Sequence, residues 1–185
     1  MGRSTPAEDL LRARGAAETE HPGGTLLDHL TRVTRLLAGW GAGPDVQAAG
    51  LCHAMYGTDG FDHALMGPDE RPLLAEAIGE RAEALAYLYA SCDRGFVYPR
   101  LAGGGLPVVF RDRFTGREHT PPAPDLCAFM EITAANELDV LAHNPALADR
   151  YGPFLQRLFA RAGHLLTVPA QEACEQRLGR YAAPG

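Results

Sequence analysis

A chain of 185 residues with 46% apolar side chains can bury one sizeable core, which excludes an intrinsically disordered polymer. Its net charge is −6, and its 17 basic residues, all arginine, are scattered rather than blocked, which argues against a nucleic-acid partner. No apolar run approaches the roughly 20 residues of a membrane span, and the first residues carry no signal-peptide core, so a cytosolic protein with no membrane partner is the expectation.

Ser4-Thr5-Pro6 reads as a cap with proline in the first turn, opening a helix over about residues 6–18. His21-Pro22-Gly23-Gly24 breaks it. Thr25 then caps a second helix, with Asp28 three residues on, close to a capping box. Gly39, Gly41 and Gly43 end that helix, and Pro44 opens a third, expected to stop near Tyr56-Gly57-Thr58. Residues 58–70 read as a loop and 71–92 as helix, with a break near Gly79. Between Asp93 and Pro124 glycine and proline are frequent, and the alternating run LPVVFRDRFTGREHT predicts a β-hairpin near residues 106–120, turning at Thr115-Gly116. That insert is either the lid or edge of a pocket, or a surface decoration. Helix resumes after Pro124; Pro145 and Pro169 open two more helices, to about Ala162 and Tyr181. The expected architecture is all-α, a single helical domain with one small hairpin. The four cysteines (Cys52, Cys92, Cys127 and Cys174) form no CxxC pair and read as small buried apolar groups.

Two histidines stand on faces that should turn inward. Leu26, Leu30, Val33, Leu37 and Trp40 recur at three- and four-residue steps, and His29 falls on their stripe. Val46, Ala49 and Gly50 lead to His53 at the same spacing. Imidazoles on consecutive helices can meet in a bundle, and neutral imidazole offers a metal an unshared lone pair near pH 7. His21 can join them if the Pro-Gly-Gly turn folds it back. The alternative is that each is a core histidine bonded to a backbone carbonyl.

LLDHLTRVTRLL followed by AAGLCHA resembles the first two motifs of the HD-domain superfamily, whose members carry a histidine on one helix and a His-Asp pair ending the next. ERPLLAEAIGERAEALAYLYASC is similar to the segment after that pair in hydrolases of guanosine tetraphosphate. ITAANELDVL resembles the late helix that supplies the final aspartate. HPGGTLLDHL and AGLCHAMYGT look closer still to a branch whose second motif reads His-Ser-x-Tyr-Gly-Thr. The resemblance implies an HD-like helical bundle over roughly residues 20–142, with His29 and His53 as the first two metal ligands. Ala54 stands where the superfamily has aspartate after the second histidine, and Asn136 where it has the late aspartate. Without those charges, hard ions such as magnesium lose most of their affinity, and carboxylate bridges between two ions cannot form from these residues. What remains suits zinc or iron.

The expectation is an enzyme acting on a small metabolite in a histidine-lined pocket, not a standard dinuclear phosphohydrolase. One divalent transition metal would sit on His21, His29 and His53, with His29, His53, Tyr56 and Asn136 as catalytic candidates. Further pocket candidates are Arg71 and Arg94 for an anionic group, His119 closing from the hairpin, and Glu137 holding an imidazole in one tautomer. Asp28 is a second candidate for that last role, against the simpler reading that it only caps its helix. Two other functions stay open: a metal-free cyclase, lyase or isomerase using His29, His53 and Tyr56 as acid–base groups, and a non-catalytic ligand-binding module. A homo-oligomer is left open as well.

Overall fold

In the computed structural model, which describes residues 4–61, 63–105 and 107–182, helix α1 (Pro6–Ala13) starts on a full capping box. The Thr5 hydroxyl accepts from the Glu8 amide, and the Glu8 carboxylate accepts from the Thr5 amide. The helix stops well short of residue 18. Gly15 takes φ 85° and the Ala16 amide reaches back to the Leu11 carbonyl at 3.0 Å, a Schellman-type stop that the apolar spacing concealed.

The chain is all-α, with two very small antiparallel hairpins among the described residues. It folds as two compact units, Met1–Ser91 and Cys92–Gly185. In the first unit, strands β1 (Glu20–His21) and β2 (Gly24–Thr25) pair around Pro22 and Gly23. Proline fixes one φ of that turn, and Gly23 supplies the positive one, 81°. Helix α2 (Leu26–Gly39) follows directly, and Thr25 and Asp28 form the expected box.

Thr25→Ala should cost about 1 kcal/mol in a urea melt, as N-cap losses do. The Thr25 amide, then its hydroxyl, hold the Asp28 carboxyl below its usual range. The unfolded chain therefore takes up this proton first as pH falls. The box contributes fully above the ordinary aspartate value of about 3.9 and is lost as pH drops through the depressed one. Asp28→Asn should accordingly flatten the acid limb of a plot of melting temperature against pH.

Helix α3 (Pro44–Leu51) lies close against α2 because Gly50 has no side chain where Leu37 and Val33 cross it. A Cβ there runs into the Leu37 Cδ1 methyl, and Leu37 is fully buried. Gly50→Ala should destabilise by about 1–3 kcal/mol, the usual range for overpacking, with little change in helix content by circular dichroism. α3 ends at Leu51, not near Tyr56. The Gly50 carbonyl, which a continuing helix would give to residue 54, goes to the His53 ring, and residues 52–56 run on as turns. Helices α4 (Arg71–Ile78) and α5 (Glu80–Ala90) break at Gly79 (φ 88°), as expected. α5 packs on α3 and α4, and α1 on α4.

The second unit opens with a helix that the sequence did not suggest. α6 (Arg94–Ala102) is capped by Asp93, whose carboxylate accepts the Phe96 amide at 2.9 Å, and it carries Pro99 in its interior. Burial of Val97, Tyr98 and Leu101 outweighs the proline. The hairpin of β3 (Phe110–Arg111) and β4 (Glu118–His119) has its turn at Gly116 (φ 71°) and is shorter than the alternating run. Helices α7 (Ala123–His143), α8 (Pro145–Ala162) and α9 (Val168–Leu178) complete the unit, α6 and α9 both lying on α8. Among the described residues no helix is long and apolar enough to cross a membrane. None of the four cysteines is in a disulfide among the described residues, and burial pushes the Cys52 and Cys174 thiols up to about 12.

Candidate functional site

Three imidazoles come together in the first unit. α2 puts His29 on its buried face and the turn after α3 brings in His53; they are 1% and 2% exposed. Their ring centroids lie 5.4 Å apart with the planes crossing at 78°. Two imidazoles on one tetrahedral ion, each nitrogen about 2.0–2.1 Å away, place their centroids about 5.2 Å apart. An imidazole lone pair lies in the ring plane, so crossing planes allow both to aim at one point. This pair has the spacing for that, and its rings meet edge to face.

The His53 tautomer follows from one hydrogen bond. Nδ1–H donates to the Gly50 carbonyl at 2.7 Å. A carbonyl only accepts, so Nδ1 carries the hydrogen and, in the neutral ring, Nε2 keeps the lone pair. Backbone carbonyls orient metal-binding and base histidines in this way. The ring also sits edge-on to Tyr89 of α5 at 5.0 Å.

His21 arrives from β1. The Pro22-Gly23 turn folds it back until its ring lies face to face with His29, centroids 4.1 Å apart and planes 25° from parallel. Two nearly parallel stacked rings cannot both direct in-plane lone pairs at one ion. As stacked, His21 is therefore a neighbour of His29 rather than its co-ligand, which revises the expected trio. Among the described residues no three His, Cys, Asp or Glu side chains are grouped to hold an ion. Phe61 meets the His21 ring edge-on at 5.5 Å, so the cluster has aromatic walls on two sides.

Tyr56, expected to donate a proton to substrate, is engaged elsewhere. It is 2% exposed, and its O–H donates to the Glu83 carboxylate at 2.9 Å. Arg71 forks the same carboxylate through Nε at 2.7 Å and Nη2 at 2.8 Å, with its guanidinium 3.8 Å over the Tyr87 ring. Burial, and then the bond to Glu83, push the Tyr56 phenol far above its ordinary range, so it keeps its proton. Arg71 is likewise corrected from an anion grip to the counter-charge of a buried acid. Sequence reasoning missed Glu83. The available signal was its place on the buried α5 stripe, with Ala86 three and Ala90 seven positions further on.

Asp28 serves its helix cap: its carboxylate accepts the Thr25 amide at 3.0 Å and hydroxyl at 2.9 Å. In the second unit Arg94 and Glu137 pair with each other at 3.0 Å, and the Asn136 amide donates to the same Glu137 oxygen at 3.2 Å. Neither Arg94 as an anion grip nor Glu137 as a holder of an imidazole matches that arrangement. His119 is exposed on β4, its ring 6.1 Å from that of Phe110.

Residues 10–94 match a family described as "Domain of unknown function (DUF6817)". Neither a curated protein nor a solved structure matches the chain. The matched span runs from the second half of α1 through α5, so the part of the chain that is similar to this family is the part that carries His21, His29 and His53.

Proposed function

We propose that this chain is an enzyme acting on a small molecule at the His29–His53 pair, where the two imidazoles hold one transition-metal ion, zinc or iron. The observation that supports the reading is their relation to each other, 5.4 Å apart with planes crossed at 78°, on a buried face. A metal so bound supplies a Lewis acid that polarises water or a substrate carbonyl. The chain's own groups do the rest. Gly50 keeps His53 in one tautomer, while Tyr89 and Phe61 keep the surroundings apolar.

The HD-like scaffold belongs to the same proposal. On it His29 and His53 take the first two ligand places, and Ala54 in place of an aspartate leaves the next one to water or substrate. A chain without those carboxylates is not suited to the two-ion hydrolysis of nucleotides. One observation favours a metal-free alternative. The His21 ring stacked on His29 offers a second imidazole for proton transfer rather than for ligation. There the His53 Nε2 lone pair would act as general base in a cyclisation, elimination or isomerisation.

Titration of the metal-stripped chain with cobalt(II), followed by visible absorption, separates the two. One equivalent should bind. His29→Ala and His53→Ala should each weaken it by more than the roughly 10–100-fold that loss of an outer-sphere partner costs. Failure of the wild-type chain to bind cobalt or zinc would remove the metal and leave the acid–base reading.

A further inference from the structure

We propose that Arg32 is a positioning residue for this site, holding His21 on the face of His29 by gripping the turn that carries it. The inference rests on the reading that the His29–His53 pair is the working site. Arg32 lies on α2, one turn beyond Asp28, whose carboxylate is near enough to be affected by its charge. Its Nη1 donates to the Gly23 carbonyl and its Nη2 to the Pro22 carbonyl, each at 3.1 Å. Those are the two residues of the β1–β2 turn.

Two-residue strands joined by a two-residue turn do not persist by themselves in water. The base of this hairpin is secured by backbone bonds, Leu26 amide to Thr19 carbonyl at 2.8 Å and Leu27 amide to Ala16 carbonyl at 2.9 Å. The Arg32 fork secures its tip. A planar guanidinium fixes two carbonyls at once, and so sets the position of the tip and not merely its distance. His21 is the residue immediately before that tip, and its ring is the one stacked on His29 at 4.1 Å. The face of His29 is thereby covered, which restrains the ring plane that must cross that of His53. The path runs from Arg32 to the turn, to His21, to the orientation of His29.

Histidine-labelled full-length chain tests this by NMR. In the wild type the ring currents of His21 and His29 should displace each other's ring protons upfield. Arg32→Ala should abolish that displacement for both residues while helix content stays at the wild-type value. It should also weaken cobalt(II) binding by about tenfold, the lower end of what outer-sphere partners contribute, and alter the visible spectrum. Arg32→Lys, which keeps the charge but cannot fork, should retain only part of the displacement. Arg35→Ala, an exposed arginine on the same helix, should change nothing. Ring shifts that survive in both Arg32 variants overturn the proposal, even if the melting temperature falls, because Arg32 would then be structural only. If Arg32→Ala does not fold, Arg32→Lys decides. A wild-type chain that binds no cobalt would defeat the metal reading, whereas the ring shifts would still decide the role of Arg32.

Discussion

Arg71→Met is expected to destabilise the protein by about 3 kcal/mol at neutral pH, the low end of the range for stripping one partner from a buried ion pair. The discount arises because the Arg71 side chain is 39% exposed, so water already screens part of the attraction. The Glu83 side chain is only 6% exposed, and the variant leaves its carboxylate with the Tyr56 hydroxyl for company. An unpaired carboxylate buried there is what the loss of Arg71 costs. Arg71→Met/Glu83→Gln should recover most of the stability, because glutamine still accepts from Tyr56 and no unpaired charge remains. Urea melts followed through Trp40, the single tryptophan and a residue of the first unit, measure this directly. A double variant no better than the single one would show that the carboxylate is not what Arg71 serves.

Phe110→Ala should cost about 3–4 kcal/mol and loosen the β3–β4 hairpin ahead of the rest of its unit. Phe110 is 1% exposed, and its ring and that of Phe129 on α7 meet edge to face, centroids 4.8 Å apart. Its strands are as short as those of the first hairpin, so the aromatic pair supplies what the ladder cannot. Limited trypsin digestion reads the result, because Arg113 and Arg117 lie in and beside the turn. Cleavage there should accelerate strongly in the variant while cutting on the helices of the same unit lags. Unchanged cleavage would mean that the hairpin is held by its turn alone.

The helices that could be read from the sequence were those whose caps and apolar stripes agree. Thr25 with Asp28, Pro44 and Gly79 each marked a boundary where the structure has one. The ones misjudged were those where a local signal lost to packing or to a side chain. α6 was hidden by Gly95 and Pro99, which three buried apolar residues override. The end of α3 was hidden because the helix period runs on through His53, while the His53 ring itself takes the carbonyl that would have extended it. At the candidate site the approach of His29 to His53 was foreseeable from their helical spacing, although His53 stands in the turn after α3 and not on the helix. The stacking of His21 was not, because ring planes depend on a turn whose dihedrals no spacing records. Nor was the engagement of Tyr56 and Arg71 foreseeable, since both answer to an acid, Glu83, that polarity alone assigns to the surface.

The buried thiols of Cys52 and Cys174 have a practical consequence for spectroscopy. Cys52 and Cys174 are shut away from solvent, so neither should add a thiolate-to-metal charge-transfer band in the near ultraviolet on titration. The same chain should tolerate storage in air and treatment with iodoacetamide with its mass unchanged at Cys52 and Cys174.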